Sequence, residues 1–243
     1  MIPRAPIGKR IGRGNVAEVF EYGTGVIKIY LDGGGKESAF REASTLTMLE
    51  DCELSVPVVD MVGRIEGNWA VVMSRAPVMA DVTWSGGELA ALHRRVHALG
   101  ASRLGDLKLK IAANISSARQ LGESERSSLL EKLQQLPPGD RLCHGDFHPG
   151  NILGSHEAPF IVDWVDATCG PPEADACRTY LLALNNAPEL ARPYLEAYVE
   201  ASRCDITSIL SWLPVLAAAR LAENVPVEQE KLLHLARSDQ ASR

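Results

Sequence analysis

Paired cysteines are missing from this sequence. Its five cysteines, Cys52, Cys143, Cys169, Cys177 and Cys204, are odd in number and scattered, and they contain no C-x-x-C pair, which argues against a disulfide framework or a zinc knuckle. Buried thiols are the remaining reading. A surplus of positive charge is missing too: 25 Lys and Arg stand against 31 Asp and Glu, a net charge of -6. Neutralising nucleic-acid phosphates takes clustered basic side chains, so a nucleic-acid partner is not expected. Apolar runs such as Leu213-Pro214-Val215-Leu216-Ala217 fall well short of the roughly 20 residues of a bilayer-spanning helix. Nor does a charged-then-apolar leader follow Met1. A cytoplasmic chain with no membrane partner is therefore the expectation. Internal repeats and low-complexity segments are absent as well.

What is present suits a packed protein. With 243 residues and 46% apolar content, the chain can form one large domain or two small lobes. Ile7 to Tyr30 reads as a β-meander, with turns at Gly12-Arg13-Gly14 and Gly23-Thr24-Gly25. The spacing of Ala39, Phe40, Ala43, Leu46 and Leu49 predicts a helix over Lys36 to Glu50, stopped before Val56-Pro57. Strands are expected at Val58 to Met61 and Trp69 to Met73. Beyond Arg75 the pattern turns helical over Gly86 to Leu99, Asp106 to Gln120 and Ser124 to Leu136. Two short strands, Asp140 to Cys143 and Pro159 to Val162, interrupt before helices at Glu173 to Leu184, Glu189 to Ser202 and Ile206 to Glu223, with a last helix in the tail from Glu228. The change of character near Ser74 to Ala80 divides the chain into residues 1–76 and 77–243.

The densest chemistry lies in His144-Gly145-Asp146-Phe147-His148-Pro149-Gly150-Asn151, followed by the apolar strand Pro159-Phe160-Ile161-Val162 and then Asp163-Trp164. Moving a phosphoryl group takes one carboxylate that orients and deprotonates the attacking hydroxyl, and two oxygen ligands for a magnesium ion on the phosphates. Asp146 fits the first role, and Asn151 and Asp163 fit the second. Lys28 lies within the apolar strand Val26 to Tyr30, where an unpaired charge is costly, so it needs a carboxylate partner. Glu37, Glu42 and Glu50 are the candidates. The Gly12-x-Gly14-x-x-Ala17-x-Val19 turn stands between two strands, which excludes a dinucleotide-binding turn and leaves a hairpin that serves its own geometry or covers phosphates.

The H-G-D-x-H-x-x-N run with the downstream I-V-D-W resembles the aminoglycoside phosphotransferase and choline kinase-like family, and the match extends from the glycine hairpin to the helices after Asp163. That resemblance implies an α+β, two-lobed protein-kinase-like fold: a small antiparallel-sheet N-lobe with one helix, which binds nucleotide, and a mostly helical catalytic and substrate lobe. It also implies ATP and Mg2+ as cofactors, and transfer of the γ-phosphoryl group to a hydroxyl of a small molecule such as an aminoglycoside, an amino alcohol or a sugar-like metabolite. Arg41-Glu42-Ala43 matches the family helix, so Glu42 is the expected partner of Lys28 and the pair would hold the α- and β-phosphates. Backbone from Gly12 through Arg13 and Gly14 to Asn15 would cover the phosphates, and Ala17 departs from the third glycine of the protein-kinase pattern. Main chain at Ser74 and Ala76 would meet the purine. Asp175 resembles the aspartate that accepts backbone N–H bonds from the catalytic loop, with His144 as a prop for that loop. Glu223 and Asp166 are candidates to line the acceptor pocket, facing a cationic substrate.

Other readings use the same residues. His144, Asp146 and His148 could be metal ligands of a hydrolase. Against it, His93, His97, His156 and His234 show no second pair at metal-site spacing, and Lys28 with Glu42 would go unexplained. A protein kinase would need an activation loop, for which the few residues between Asp163 and Glu173 leave little room. An inactive nucleotide-binding module is disfavoured because Lys28, Asp146, Asn151 and Asp163 are all present.

Overall fold

The computed structural model describes residues 6–14, 16–31, 35–76 and 82–238. In chain order the strands and helices are β1 (Ile7–Arg13), β2 (Ala17–Tyr22), β3 (Gly25–Tyr30), α1 (Gly35–Leu49), β4 (Val59–Ile65), β5 (Asn68–Met73), α2 (Gly86–His97), α3 (Leu107–Ser117), α4 (Glu123–Gln135) and β6 (Arg141–Cys143). They continue with β7 (Ile152–Gly154), β8 (Pro159–Ile161), β9 (Thr168–Gly170), α5 (Pro172–Asn186), α6 (Pro188–Ser202), α7 (Ile206–Leu210), α8 (Leu213–Arg220) and α9 (Gln229–Arg237). Two compact units result: Met1–Val82 with Gly150–Asp166, and Thr83–Pro149 with Ala167–Arg243.

In the first unit, five antiparallel strands form a sheet in the order β1-β2-β3-β5-β4. Side chains alternate across a strand, so Ile27 and Ile29 of β3 share one face with Val72 and Ala70 of β5, and Phe20, Tyr22 and Ile65 pack onto that cluster. Val26, Lys28 and Tyr30 take the other face. Helix α1 packs on β3, β4 and β5 through its buried Ala39, Ala43, Leu46 and Leu49. Gly25 opens β3 where a Cβ would come within 2.5 Å of the Met73 carbonyl oxygen, so the close approach of β3 to the end of β5 requires glycine.

Two expectations about this sheet need correction. Gly12 and Arg13 are not turn residues: they lie in β1 opposite Val19 and Glu18, and the reversal starts at Gly14, whose N–H donates to the Ala17 carbonyl at 2.9 Å. Strand β4 runs on to Ile65, past Met61, because Glu66 and Gly67 with φ of 50° and 88° make the reversal by themselves. The segment returning to this unit holds the short β7–β8 hairpin, in which Ile152 pairs with Ile161. It is fixed by the Ile161 N–H donating to the Ser55 carbonyl at 2.9 Å and by the buried Trp164, whose Nε1 donates to the Ile161 carbonyl.

The second unit is helical apart from the three-residue ladder of β6 with β9. Helix α2 starts on a capping box, Ser85 Oγ accepting from the Glu88 N–H and the Glu88 carboxylate accepting from the Ser85 N–H. It packs along α6, and α5 packs on both α6 and α8. A single helix over Ile206 to Glu223 is not what forms. The chain turns at Ser211-Trp212 and restarts as α8, because Pro214 has no N–H to donate and is accommodated only in a first helical turn. Those 18 residues, of mean hydropathy 1.3, are long and apolar enough by composition to cross a membrane, yet 56% of the stretch is buried inside the protein.

Candidate active site

Lys28 shows how the first unit builds its charged centre. Strand alternation turns it toward α1, where it is only 7% exposed, and its Nζ donates to Glu42 Oε1 at 3.0 Å and to Asp163 Oδ1 at 2.7 Å. Burial acts to lower its pKa, but the charges and hydrogen bonds of Glu42 and Asp163 outweigh that and hold the ammonium above the ordinary lysine value. The Tyr30 hydroxyl donates to Glu42 Oε2, so the carboxylate is gripped from both sides. Glu37, the nearby alternative, pairs with Arg41 instead. Glu42 is therefore the α1 partner of Lys28.

Asp163 has a φ of 64°, a left-handed backbone that few non-glycine residues adopt, and it follows directly on the β7–β8 hairpin. The Val162 N–H donates to the Asn151 carbonyl at 2.9 Å, which sets these two segments side by side one residue before Asp163. An amide and a carboxylate are the hard oxygen donors that magnesium takes, so this donor set fits that ion. Among the other sequence candidates of this unit, Gly12, Arg13 and Gly14 form the β1 end of the hairpin, and Asn15 lies outside the described residues. Ser74 donates its N–H to the Val58 carbonyl at 2.8 Å and accepts from the Val58 N–H through its hydroxyl. Ala76 is buried two residues further on. Asp166 ends the turn Trp164–Asp166 in this unit.

Asp146 belongs to the second unit, on the loop that leaves β6. Gly145, just before it, has a φ of 81°, a conformation open to glycine at little cost. Burial would raise the Asp146 pKa, but the hydrogen bond and charge of His148, whose Nε2 lies 3.4 Å from Oδ2, and the charge of Arg178 bring it down to about 2. His148 is thus a close side-chain partner of this carboxylate. His144 is fully buried, its Nδ1 accepts from the Asp146 N–H at 3.2 Å, and its ring meets Phe147 edge-on. With Nδ1 accepting, a neutral His144 ring carries its proton on Nε2 and has no lone pair for a metal, which weakens the hydrolase alternative.

Beneath that loop sits Asp175 of α5, 1% exposed. Its carboxylate accepts from the His144 N–H at 2.6 Å and from the Gly145 N–H at 2.9 Å. Two histidines join it: His93 Nε2 lies 3.0 Å and His97 Nε2 3.2 Å from Asp175 Oδ2. The sequence shows no second acidic or histidine pair at metal-site spacing beside these two; the fold brings Asp175 to them from a helix about eighty residues on. The three groups lie within 4.8 Å of one another and have the donor types of a metal site. Arg178, also missed, donates through Nε to the Gly145 carbonyl at 3.2 Å and through Nη2 to Glu223 at 2.7 Å. Glu223 accepts from Arg220 as well, at 2.6 Å, and Arg220 forms a two-pronged pair with the buried Glu228. The Glu223 carboxylate is thus held by two guanidinium groups in charge-assisted hydrogen bonds.

Residues 8–207 match the family model described as "Phosphotransferase enzyme family". The chain belongs to this family. The matched span takes in every candidate site residue from Gly12 to Asp163. No curated protein sequence matches this phosphotransferase-family chain. Solved structures do resemble it. An aminoglycoside-3'-phosphotransferase of type VIII shares 21% identity at a TM-score of 0.60, over 88% of this chain and 90% of the other. The choline kinase LicA from Streptococcus pneumoniae shares 17% at 0.63, over 93% and 86%. A structure described as a putative fructosamine-3-kinase from Haemophilus somnus shares 13% at 0.64, over 93% and 89%. Identities this low speak to the fold alone, and that fold is α+β and protein-kinase-like.

Proposed function

We propose that this family member is an ATP-dependent kinase of a small molecule, moving the γ-phosphoryl group of ATP to an acceptor hydroxyl. The observation that carries the reading is the buried Lys28 ammonium held between Glu42 and Asp163. A structural ion pair needs one carboxylate. A second carboxylate on a left-handed turn next to Asn151 instead suits a group that also serves a metal–phosphate complex.

In this reading Lys28, oriented by Glu42, neutralises phosphate charge, and the backbone from Gly12 through Arg13 and Gly14 to Asn15 covers the phosphates. The main chain of Ser74 and Ala76 receives the purine. Asn151 and Asp163 hold Mg2+, which when bound offsets the negative charge of the phosphates. Asp146 accepts a hydrogen bond from the acceptor hydroxyl, aims its oxygen, and takes its proton. A carboxylate of pKa about 2 is a weak proton sink, so aiming the hydroxyl is its larger contribution, with the proton arriving late, as a loose phosphoryl-transfer transition state allows. On this division of labour residues 1–76 and the Asn151–Asp163 segment serve the nucleotide, the rest of residues 77–243 the acceptor, and the protein works in the cytoplasm on neither nucleic acid nor membrane.

The acceptor class is tested by ADP release with three panels of hydroxylated compounds: polycationic aminoglycosides, amino alcohols, and neutral sugar-like compounds. Because Glu223 is already held by Arg178 and Arg220, the neutral panel is expected to respond most, by at least about tenfold in kcat/KM over the polycations. Preference for the polycations would contradict this assignment. Absence of magnesium-dependent ATP binding would contradict the kinase reading altogether.

A further inference from the structure

Asp175 carries a full charge with almost no water around it. Burial works against the ionised form, yet the hydrogen bonds from His93 and His97 hold its pKa well below the ordinary carboxylate range. Four donors converge on it: two peptide N–H groups of the catalytic loop, from His144 and Gly145, and the Nε2 atoms of His93 and His97, one helical turn apart on α2. The opposite ring nitrogens are engaged as well. His93 Nδ1 lies 2.8 Å from the Tyr194 hydroxyl, and His97 Nδ1 lies 2.6 Å from the Tyr198 hydroxyl, the two tyrosines again one turn apart, on α6.

This arrangement fixes where the protons are. A neutral imidazole carries one N–H, and an ionised carboxylate can only accept. Facing Asp175, both rings present Nε2–H, which leaves Nδ1 of a neutral ring to accept from the tyrosine hydroxyl beside it. His93 is neutral, since burial lowers its pKa to about 3. The contact with Asp175 is accordingly a charge-assisted hydrogen bond and not an ion pair of two charges. His93 does more: its ring stacks flat on Phe147, the residue after Asp146, with centroids 4.1 Å apart and planes inclined by 11°. The catalytic loop therefore rests on α2 through two routes, the Asp175 carboxylate and the Phe147 ring.

We propose that His93 and His97 are positioning residues for phosphoryl transfer: as paired Nε2–H donors they fix the Asp175 carboxylate, which fixes the His144 and Gly145 peptides and so the direction of Asp146. The kinetic part rests on the assignment of Asp146 above; the structural part does not. An apolar side chain at either position would fill the volume but leave Asp175 short of a donor, free to lean away from the loop. A displacement of about 1 Å at the reacting group costs on the order of a hundredfold in rate. A metal ion held by His93, His97 and Asp175 is the competing use of the same atoms, and it requires unprotonated Nε2 atoms.

Nitrogen-15 NMR of histidine-labelled full-length protein at about pH 8, where an ordinary histidine is neutral, reads the tautomers without any substrate. Both rings are expected as Nε2–H forms, and Tyr198→Phe, which removes one hydroxyl, is expected to leave His97 as Nε2–H because Asp175 sets that form. Nδ1–H tautomers, or stoichiometric zinc surviving dialysis, would overturn the proposal. Hydrogen exchange supplies the second arm: His97→Leu is expected to speed exchange of the His144 and Gly145 amides, while His97→Gln, which returns an N–H donor near the Nε2 position, restores their protection. Equal exchange in the two variants would equally overturn it. In turnover, His97→Leu is expected to lower kcat by about a hundredfold with KM for ATP unchanged, and the Gln variant to recover most of that. If parent and variants all lack turnover while tautomers and amide protection behave as described, the kinase reading fails and the positioning network stands.

Discussion

Asp146→Asn is expected to lower turnover by about a hundredfold to ten-thousandfold, the usual contribution of a positioned proton acceptor, with ATP affinity nearly unchanged. The asparagine keeps the size of the side chain and an oxygen acceptor but loses the charge. Its amide accepts more weakly than a carboxylate, so it aims the hydroxyl less firmly, and it can no longer take its proton. Asp146 titrates near 2, pulled down by His148 and Arg178. With the folded pKa below the usual value, the carboxylate is ionised throughout the ordinary working range, and its protonation removes activity only as pH falls toward 2. An acid limb nearer neutrality therefore belongs to another group. Steady-state kinetics of parent and variant, with calorimetric ATP titrations, check both halves of the expectation; equal turnover in the two proteins would remove Asp146 from the reaction.

A different signature is expected for Asp163→Ala. Removing this carboxylate takes away one proposed magnesium ligand and one of the two partners of Lys28, while Glu42 still satisfies the buried ammonium. The fold should survive for that reason. ATP binding measured with and without magnesium should then differ by less than about twofold in the variant, against tenfold or more in the parent, because the ion can no longer join protein to phosphates. Thermal unfolding of the same samples separates this from simple instability. A variant that keeps the full magnesium dependence of the parent would move the metal to other residues.

The parts of the protein legible in the sequence are those whose signal is local. Alternation of Val26, Lys28 and Tyr30 against Ile27 and Ile29 placed Lys28 within one face of an apolar strand, and the resemblance of Arg41-Glu42-Ala43 to the family helix singled out Glu42 as its partner. The run around Asp146 is contiguous, and Asp163 closes a readable apolar strand. What stayed hidden depends on distant pairings. The ladders that β7 and β9 enter are three residues long, too short for a period to show. His93 and His97 form an i, i+4 pair, as do Tyr194 and Tyr198, so each pair declares a helix face, but nothing local says that both faces meet at Asp175. The pairing of Glu223 with Arg178 and Arg220 was hidden for the same reason, since helix packing brings Arg178 to it from 45 residues away. The break before α8 was signalled by Pro214 and overridden by the apolar run around it.

Diffraction from crystals grown with magnesium and a non-hydrolysable ATP analogue tests the central claim most directly, and it needs no knowledge of the acceptor. The account predicts one nucleotide with its phosphates against Lys28 Nζ and a magnesium ion on the side-chain oxygens of Asn151 and Asp163. A nucleotide bound away from Lys28, or a metal seated on His93, His97 and Asp175 with Asn151 and Asp163 bare, would contradict it.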